Sequence, residues 1–145
     1  ISREVIKKAQ KKGIDQLFLQ NPLLFSEMLL EGREQQFIEA SNNKSKVVFF
    51  DRGIPDVVAY LNYFKTPYPK IFTKKSNQYK YNKVFYFAPW KSIYTTDNER
   101  YESFKQAQKI DAFVKETYTS LQYTLIKVPF ISVEKRTDFI INSIL

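Results

Sequence analysis

Two charged residues follow a continuous apolar run near the middle of the sequence. Residues 47–50 read Val-Val-Phe-Phe, and Asp51, Arg52 and Gly53 come directly after them. Such a run is typical of a strand buried on both faces of a parallel sheet, so we predict a strand over residues 46–51. In open α/β sheets, ligands bind in the crevice outside the carboxyl ends of the strands.

An acid at that position could hold Mg²⁺ or orient a phosphoryl acceptor. The adjacent arginine could bind a phosphate or carboxylate through two parallel hydrogen bonds. A simpler interpretation is that Asp51 caps the following helix while Arg52 forms a surface ion pair. The two residues alone do not decide between these interpretations.

Two further motifs carry candidate chemistry, and each has a simpler structural explanation. In Asp97-Asn98-Glu99-Arg100, the arginine could neutralise charge on a transferred phosphoryl group, or Asp97 could be only a helix N-cap; Asp97 could also do both. Val128-Pro129 follows a predicted strand. It could lie beside a nucleotide base, or the proline could merely end the strand.

The composition limits which residues could carry catalysis. The chain has 145 residues, no cysteine and no histidine, so an enzyme would have to use Asp, Glu, Lys, Arg, Tyr or a hard metal ion such as Mg²⁺. With 43% hydrophobic residues, we predict one globular domain over residues 1–145. The sequence has neither an 18-residue apolar run nor a secretory signal peptide, which predicts a cytoplasmic protein without a transmembrane segment.

The positive charge is unevenly distributed along the chain. The formal net charge is +8, and residues 57–96 contain seven lysines but no Asp or Glu. Four more lysines lie between positions 7 and 12. Such patches attract phosphate-rich ligands, nucleic acid or anionic lipid. A general bias toward Lys, Asn, Ile, Phe and Tyr would produce the same excess without any such partner.

Alternating periodicities predict the elements that must position these residues. Two helices precede the strand at 46–51, and helices then alternate with two more strands. This order predicts an α/β fold with a parallel sheet and right-handed crossovers. The predicted helices cover residues 3–12, 22–40, 56–64, 99–120 and 133–145, the two further strands cover 83–88 and 123–128, and residues 65–82 are irregular.

Taken together, the motifs resemble the AAA domain family of P-loop ATPases, which is related to nucleoside-type kinases and to the ribosylnicotinamide kinase domain. The resemblance extends over nearly the whole chain. The resembling pieces are Ser2-Arg3-Glu4-Val5-Ile6, Phe49 to Asp56, Val84-Phe85 with Ala88-Pro89-Trp90, Asp97 to Arg100 with Phe104, and Val128-Pro129 with Val133-Glu134 and Arg136.

The resemblance implies a three-layer P-loop NTPase-type fold, with helices on both faces of a parallel sheet and the nucleotide at the strand ends. It assigns Asp51 and Arg52 to the acceptor or Mg²⁺ side and makes Arg100 a lid arginine over the triphosphate. It places Val128 and Pro129, together with Asp97 and Arg100, on the nucleotide-binding side.

The glycine-rich phosphate loop of that family has no counterpart in the sequence. The three glycines, at positions 13, 32 and 53, match neither Gly-x-x-x-x-Gly-Lys-Ser/Thr nor Gly-x-Gly-x-x-Gly. In the family, a strand, the loop and a helix precede the position of Ile1. We therefore expect the given sequence to lack this N-terminal P-loop segment of a larger protein.

The first functional hypothesis is an ATP-binding P-loop protein that transfers the γ-phosphoryl group to a small molecule, with Mg²⁺ and ATP or GTP bound in the complete protein. Asp51, Arg52 and Arg100 would be catalytic, and Asp51 could hold Mg²⁺ through water. The alternative is a non-catalytic nucleotide-binding protein whose basic region binds anionic lipid or a partner. A third hypothesis, binding of nucleic acid by Lys and aromatic residues, is weaker because the aromatic residues of a predicted strand suit a core better.

Overall fold

A computed structural model describes residues 1–96 and 102–145 of the chain. It divides into two compact units, Ile1–Lys80 and Tyr81–Leu145. The first unit is helical in its described secondary structure, and the second is a mixed α/β arrangement. In the first unit the helices are α1 (Ser2–Lys11), α2 (Leu17–Gln20), α3 (Pro22–Ser41), α4 (Ile54–Tyr63) and α5 (Ile71–Gln78).

Local sequence signals explain where two of these helices begin and end. Helix α1 is followed by Gly13, whose φ of 77° lies in the left-handed region that glycine adopts without steric cost. Helix α3 begins with Pro22 at its first position, where the missing N–H would have no helical partner in any case. The side chain of Asn21 accepts a hydrogen bond from the Leu24 N–H at 3.1 Å and caps the helix.

The core of the first unit forms where α4 packs against its neighbours α3 and α5. Ile54, Val57 and Leu61 on α4 are each no more than 2% exposed, and Phe72 on α5 is fully buried. Their spacing along α4 matches one face of a helix, so the apolar stripe of the sequence becomes the buried face.

The second unit contains a short parallel sheet. Strands β1 (Val84–Tyr86) and β2 (Leu125–Lys127) pair in parallel, with Phe85 opposite Ile126. The Val128 N–H donates to the Tyr86 carbonyl at 2.9 Å and extends the pairing by one residue. The other elements of this unit are a 3₁₀ turn at Lys91–Ile93 and helices α6 (Phe104–Ser120) and α7 (Val133–Ile144).

Capping side chains define the starts of both helices in this unit. Ser103 and Gln106 form a reciprocal capping box at the start of α6, with bonds of 2.8 and 3.2 Å. The Ser132 hydroxyl accepts from the Lys135 N–H at the start of α7. The α/β character predicted from the sequence is thus present as parallel strands that alternate with helices.

The predicted strand over residues 46–51 does not form. Residues 47–50 have no regular secondary structure, and Val47, Val48 and Phe49 are 48, 39 and 59% exposed. None of these three makes a backbone hydrogen bond to another described residue. A strand is stable only when paired in a sheet, so strand-prone side chains alone do not produce one here.

Two short helices were not predicted. Helix α5 lies inside the stretch 65–82 that we expected to be irregular, and α2 precedes α3.

Among the helices of residues 1–96 and 102–145, none combines the length and apolar character that a bilayer crossing requires.

Candidate functional site

Asp51 and Arg52 lie together in an exposed turn directly before α4. Arg52 has a φ of 68°, in the left-handed region that non-glycine residues seldom occupy. Its guanidinium donates to the Tyr60 hydroxyl at 3.2 Å and lies 5.7 Å from the centroid of that ring. The arginine is thereby directed along α4 by a cation–π contact.

Asp51 is not the cap of α4. The N-cap is Gly53, and Asp56 in the first turn accepts a hydrogen bond from the Gly53 N–H through its Oδ2 at 2.8 Å. The Asp51 carboxylate is exposed and has no hydrogen bond or ion pair with any residue in the described part of the chain. The capping interpretation of Asp51 is therefore wrong, and its carboxylate is accessible to a ligand.

Helix α3 holds this turn from the inside through Arg33. This residue is 4% exposed, and its Nη1 donates to the Gly53 carbonyl at 2.8 Å. Helical spacing places Arg33 on the same face of α3 as the buried residues Ser26, Leu29 and Leu30. This spacing is the feature of the sequence that indicates a buried arginine. A cation on the apolar face of a helix must find an acceptor inside the protein.

Phe37, one helical turn beyond Arg33, holds the other end of the same turn. Its ring stacks on Phe50, with centroids 6.0 Å apart and 20° between the planes. Phe37 also contacts Tyr79 at 5.2 Å. The residues on either side of Asp51 and Arg52 are thus fixed by two positions of α3 that lie four residues apart.

An ionic network joins α3 to α5 in the same unit. Glu34 accepts from the Lys75 ammonium, and its Oε1 accepts from the Tyr79 hydroxyl at 2.8 Å. The hydrogen bond from Lys75 is the main reason that the pKa of Glu34 is lowered. The hydrogen bond to Glu34 raises the pKa of Tyr79.

In the second unit, Val128 and Pro129 follow the carboxyl end of β2. Val128 is 1% exposed, so its side chain is buried. Its backbone continues the pairing with Tyr86. Pro129 is half-buried, and its carbonyl accepts from the Ile131 N–H at 3.0 Å.

An aromatic and cationic cluster lies just beyond the carboxyl ends of both strands. Trp90 follows β1 and Phe130 follows β2, and their rings stack with centroids 4.9 Å apart and 18° between the planes. The Arg136 guanidinium lies 5.8 Å from the Trp90 ring, and the Lys127 ammonium lies 5.9 Å from the Phe130 ring. Phe130 remains 47% exposed, so its ring offers a surface to a ligand.

Sequence reasoning did not predict this cluster, because the stacking depends on the register of two strands that are distant in sequence. The buried Nε of Arg136 has no hydrogen-bond partner among the described residues. We refer to Trp90, Phe130, Arg136 and Lys127 as the stacking cluster. Its position matches the sheet edge at which ligands bind in parallel α/β folds.

A second polar contact stabilises the strand that leads to Trp90. The Tyr86 hydroxyl is 2.6 and 2.8 Å from the two oxygens of Asp111 on α6, and the Lys115 ammonium is 3.1 Å from the same carboxylate. Burial, followed by the contact with Asp111, raises the pKa of Tyr86. The group is therefore a neutral hydrogen-bond donor at physiological pH.

Two predicted site residues and the predicted Mg²⁺ site remain to be located in the structure. Asp97 and Arg100 lie outside the described residues. Within residues 1–96 and 102–145, no group of three or more acidic residues could hold a metal ion. Asp51 alone fits Mg²⁺ only in the arrangement in which nucleotide phosphates and water complete the coordination.

Comparison with known proteins identifies the family. A family model described as an AAA domain matches residues 1–136. No curated protein matches the chain, and no solved structure matches it. The match spans most of the sequence, including Asp51, Arg52 and the stacking cluster, and it supports nucleotide binding by a P-loop protein. The chain belongs to the AAA domain family.

Proposed function

We propose that the protein transfers the γ-phosphoryl group of a nucleoside triphosphate to a small molecule. The observation that carries this proposal is the Asp51 carboxylate, which is exposed and has no partner among the described residues. The turn that carries it is held by Arg33 and Phe37. A positioned carboxylate that can accept a proton is what an acceptor hydroxyl needs.

The proposal assigns Asp51, Arg52 and Arg100 to the reacting groups. Asp51 orients or deprotonates the acceptor hydroxyl, or holds Mg²⁺ through water. Arg52 binds the acceptor or a phosphate, and Arg100 neutralises charge on the transferred group. A P-loop NTPase-type sheet with helices on both faces would position them, and ATP or GTP with Mg²⁺ would be the cofactors.

The stacking cluster supports a site for the nucleotide base in the second unit. The exposed part of the Phe130 ring can contact a planar base, and Lys127 and Arg136 supply positive charge beside it. Stacking of a base on an aromatic ring contributes about 1–3 kcal/mol. Pro129, which adjoins Phe130, would line the same site.

The test of the catalytic role measures nucleotide consumption by the complete protein in the presence of a panel of nucleosides and other small hydroxyl compounds. Asp51→Asn should lower turnover by about 100-fold or more while the Kd for nucleotide changes little. Asp15→Asn removes another exposed acid of the same unit and serves as the control. Equal turnover of wild type and Asp51→Asn would refute the catalytic role of Asp51.

The base site has a direct spectroscopic test because Trp90 is the single tryptophan. Addition of nucleotide should change the Trp90 fluorescence, and Phe130→Ala should weaken the apparent affinity by about tenfold or more. Phe87→Ala replaces another exposed phenylalanine of this unit and is the matched control. An unchanged affinity of Phe130→Ala would remove the stacking cluster from the proposal.

A non-catalytic nucleotide-binding role is the second candidate. It is supported by the match to the AAA domain family, which suggests nucleotide binding without resolving catalysis, and by the lysine-rich residues 57–96, which contain no Asp or Glu. Tight nucleotide binding without consumption under every acceptor tested would select this candidate.

A further inference from the structure

The turn between α4 and α5 exposes apolar and cationic side chains side by side. Phe64 and Ile71 flank the turn and are 39 and 42% exposed. Lys65 and Lys70 lie between them, and Lys74 follows one helical turn later; all three are exposed. We call these five residues the α4–α5 turn surface.

The buried and exposed faces of α5 are clearly separated. Phe72 and Ser76, four residues apart, are both fully buried and face the core. Lys70 and Lys74 have the same spacing and lie on the other side of the helix, and Ile71 is exposed next to them. Lysine and isoleucine are thus presented together to the surroundings of the first unit.

Lys65 occupies a backbone position that favours glycine. Its N–H donates to the Asn62 carbonyl at 3.1 Å, and the Thr66 N–H donates to the Leu61 carbonyl at 2.9 Å. These two bonds form a Schellman motif at the end of α4, with Lys65 at the left-handed position, where its φ is 53°. A lysine at this position contributes charge to the turn at a cost in backbone conformation.

The charge of this surface is not neutralised within the described residues. Lys65, Lys70 and Lys74 make no ion pair with any described residue, whereas Lys75 on the same helix pairs with Glu34. Residues 57–96 contain no Asp or Glu. The turn surface therefore combines positive charge with exposed apolar groups, and its own segment contributes no acid that would oppose an anionic partner.

We propose that the α4–α5 turn surface binds an anionic lipid bilayer. Apolar side chains that enter the interface and lysines that face lipid phosphates are the two contributions that hold peripheral proteins on membranes. A nucleic acid fits less well, because Ile71 has no face for stacking. The Phe64 ring is also engaged at 4.9 Å in an edge contact with Tyr63.

The test is sedimentation of the full chain with vesicles of phosphatidylcholine alone or mixed with phosphatidylserine. Binding should require phosphatidylserine and should weaken as salt is added. Lys70→Gln/Lys74→Gln should reduce partitioning by about 25-fold, since each lysine near an anionic surface contributes about fivefold. Ile71→Gln should reduce it severalfold, and this loss should persist at high salt because it does not depend on charge.

Lys65→Gly separates binding from folding. Glycine suits the left-handed backbone better, so the midpoint of urea unfolding should stay the same or rise while vesicle binding falls about fivefold. Lys8→Gln/Lys12→Gln removes two exposed charges from α1 and the residue after it and should affect binding much less than the α5 double variant.

Three results would overturn the proposal. One is an equal loss of vesicle binding in Lys8→Gln/Lys12→Gln and in Lys70→Gln/Lys74→Gln. Binding would then depend on the net charge of the protein and not on the α4–α5 turn surface. Another is undiminished binding by Lys65→Gly and Ile71→Gln. The third is an absence of vesicle binding together with tight binding of a single-stranded oligonucleotide that the α5 variant loses, which would assign the surface to nucleic acid.

Discussion

Replacement of Arg33 by methionine should destabilise the first unit and disturb the turn that carries Asp51. Arg33 is 4% exposed and donates to the Gly53 carbonyl at 2.8 Å. Methionine fills a similar length of the interior but has no donor. The Gly53 carbonyl would keep the longer bond from the Asp56 N–H, at 3.3 Å.

The expected change in the free energy of unfolding for Arg33→Met follows from two opposing effects. A hydrogen bond from a charged donor contributes about 1.5–3 kcal/mol, and a buried acceptor left without it costs a similar amount. Removal of a buried charge relieves part of its desolvation penalty. We therefore expect Arg33→Met to lower the free energy of unfolding by about 2 kcal/mol, and Arg33→Ala to lower it further because a cavity adds to the loss.

Urea unfolding followed by helical circular dichroism measures the global effect, and hydrogen exchange of the Gly53 amide measures the local one. Arg3→Met makes the same change at an exposed position and should alter the free energy of unfolding by less than about 0.5 kcal/mol. If Arg33→Met resembles this control in both measurements, the contact with Gly53 does not hold the turn.

Three further substitutions test individual contacts. Tyr86→Phe should lower the free energy of unfolding by about 1 kcal/mol; because burial and Asp111 raise the pKa of Tyr86, its contribution should be complete below the ordinary pKa of a tyrosine and decline above it, and thermal unfolding of the variant should lack that alkaline decline. Glu34→Gln should remove a contribution that is complete above the ordinary pKa of a glutamate and is lost as the pH falls through the lowered pKa of Glu34, which its hydrogen bond with Lys75 depresses; acid titration of stability should show a smaller decline in the variant. Gly13→Ala should cost about 1 kcal/mol in urea unfolding despite the open space around Gly13, because its φ is positive.

Signals that act within a few residues predicted the starts of α3 and α7 well, whereas the helix predicted over residues 99–120 begins at Phe104, with Ser103 as its N-cap. Pro22 marks the first residue of α3, and Ser132 caps α7, as the sequence indicated. Proline and capping serine act on the backbone of their own turn, so their effect does not depend on distant contacts.

Elements that depend on distant packing were harder to predict. The sequence of α5 is polar, and Phe72 and Ser76 acquire their burial only when α4 packs on them. The stacking of Trp90 on Phe130 likewise depends on the pairing of β1 with β2. The periodicity of a single segment therefore predicts neither the burial of the α5 residues nor the stacking of Trp90 on Phe130.

The turn that carries Asp51 directly follows the apolar run, but the contacts that hold it were not predicted from the sequence. The apolar run before Asp51 indicated a strand, yet the turn is held without one, because Phe50 stacks on Phe37 and the Gly53 carbonyl accepts from Arg33. Both contacts come from one face of α3, four residues apart, which fixes the two ends of the turn and leaves the Asp51 carboxylate exposed. The position of this acid therefore depends on helix α3 and not on pairing of residues 47–50, so substitutions at Arg33 should affect a reaction of Asp51 more strongly than substitutions at the exposed Val47.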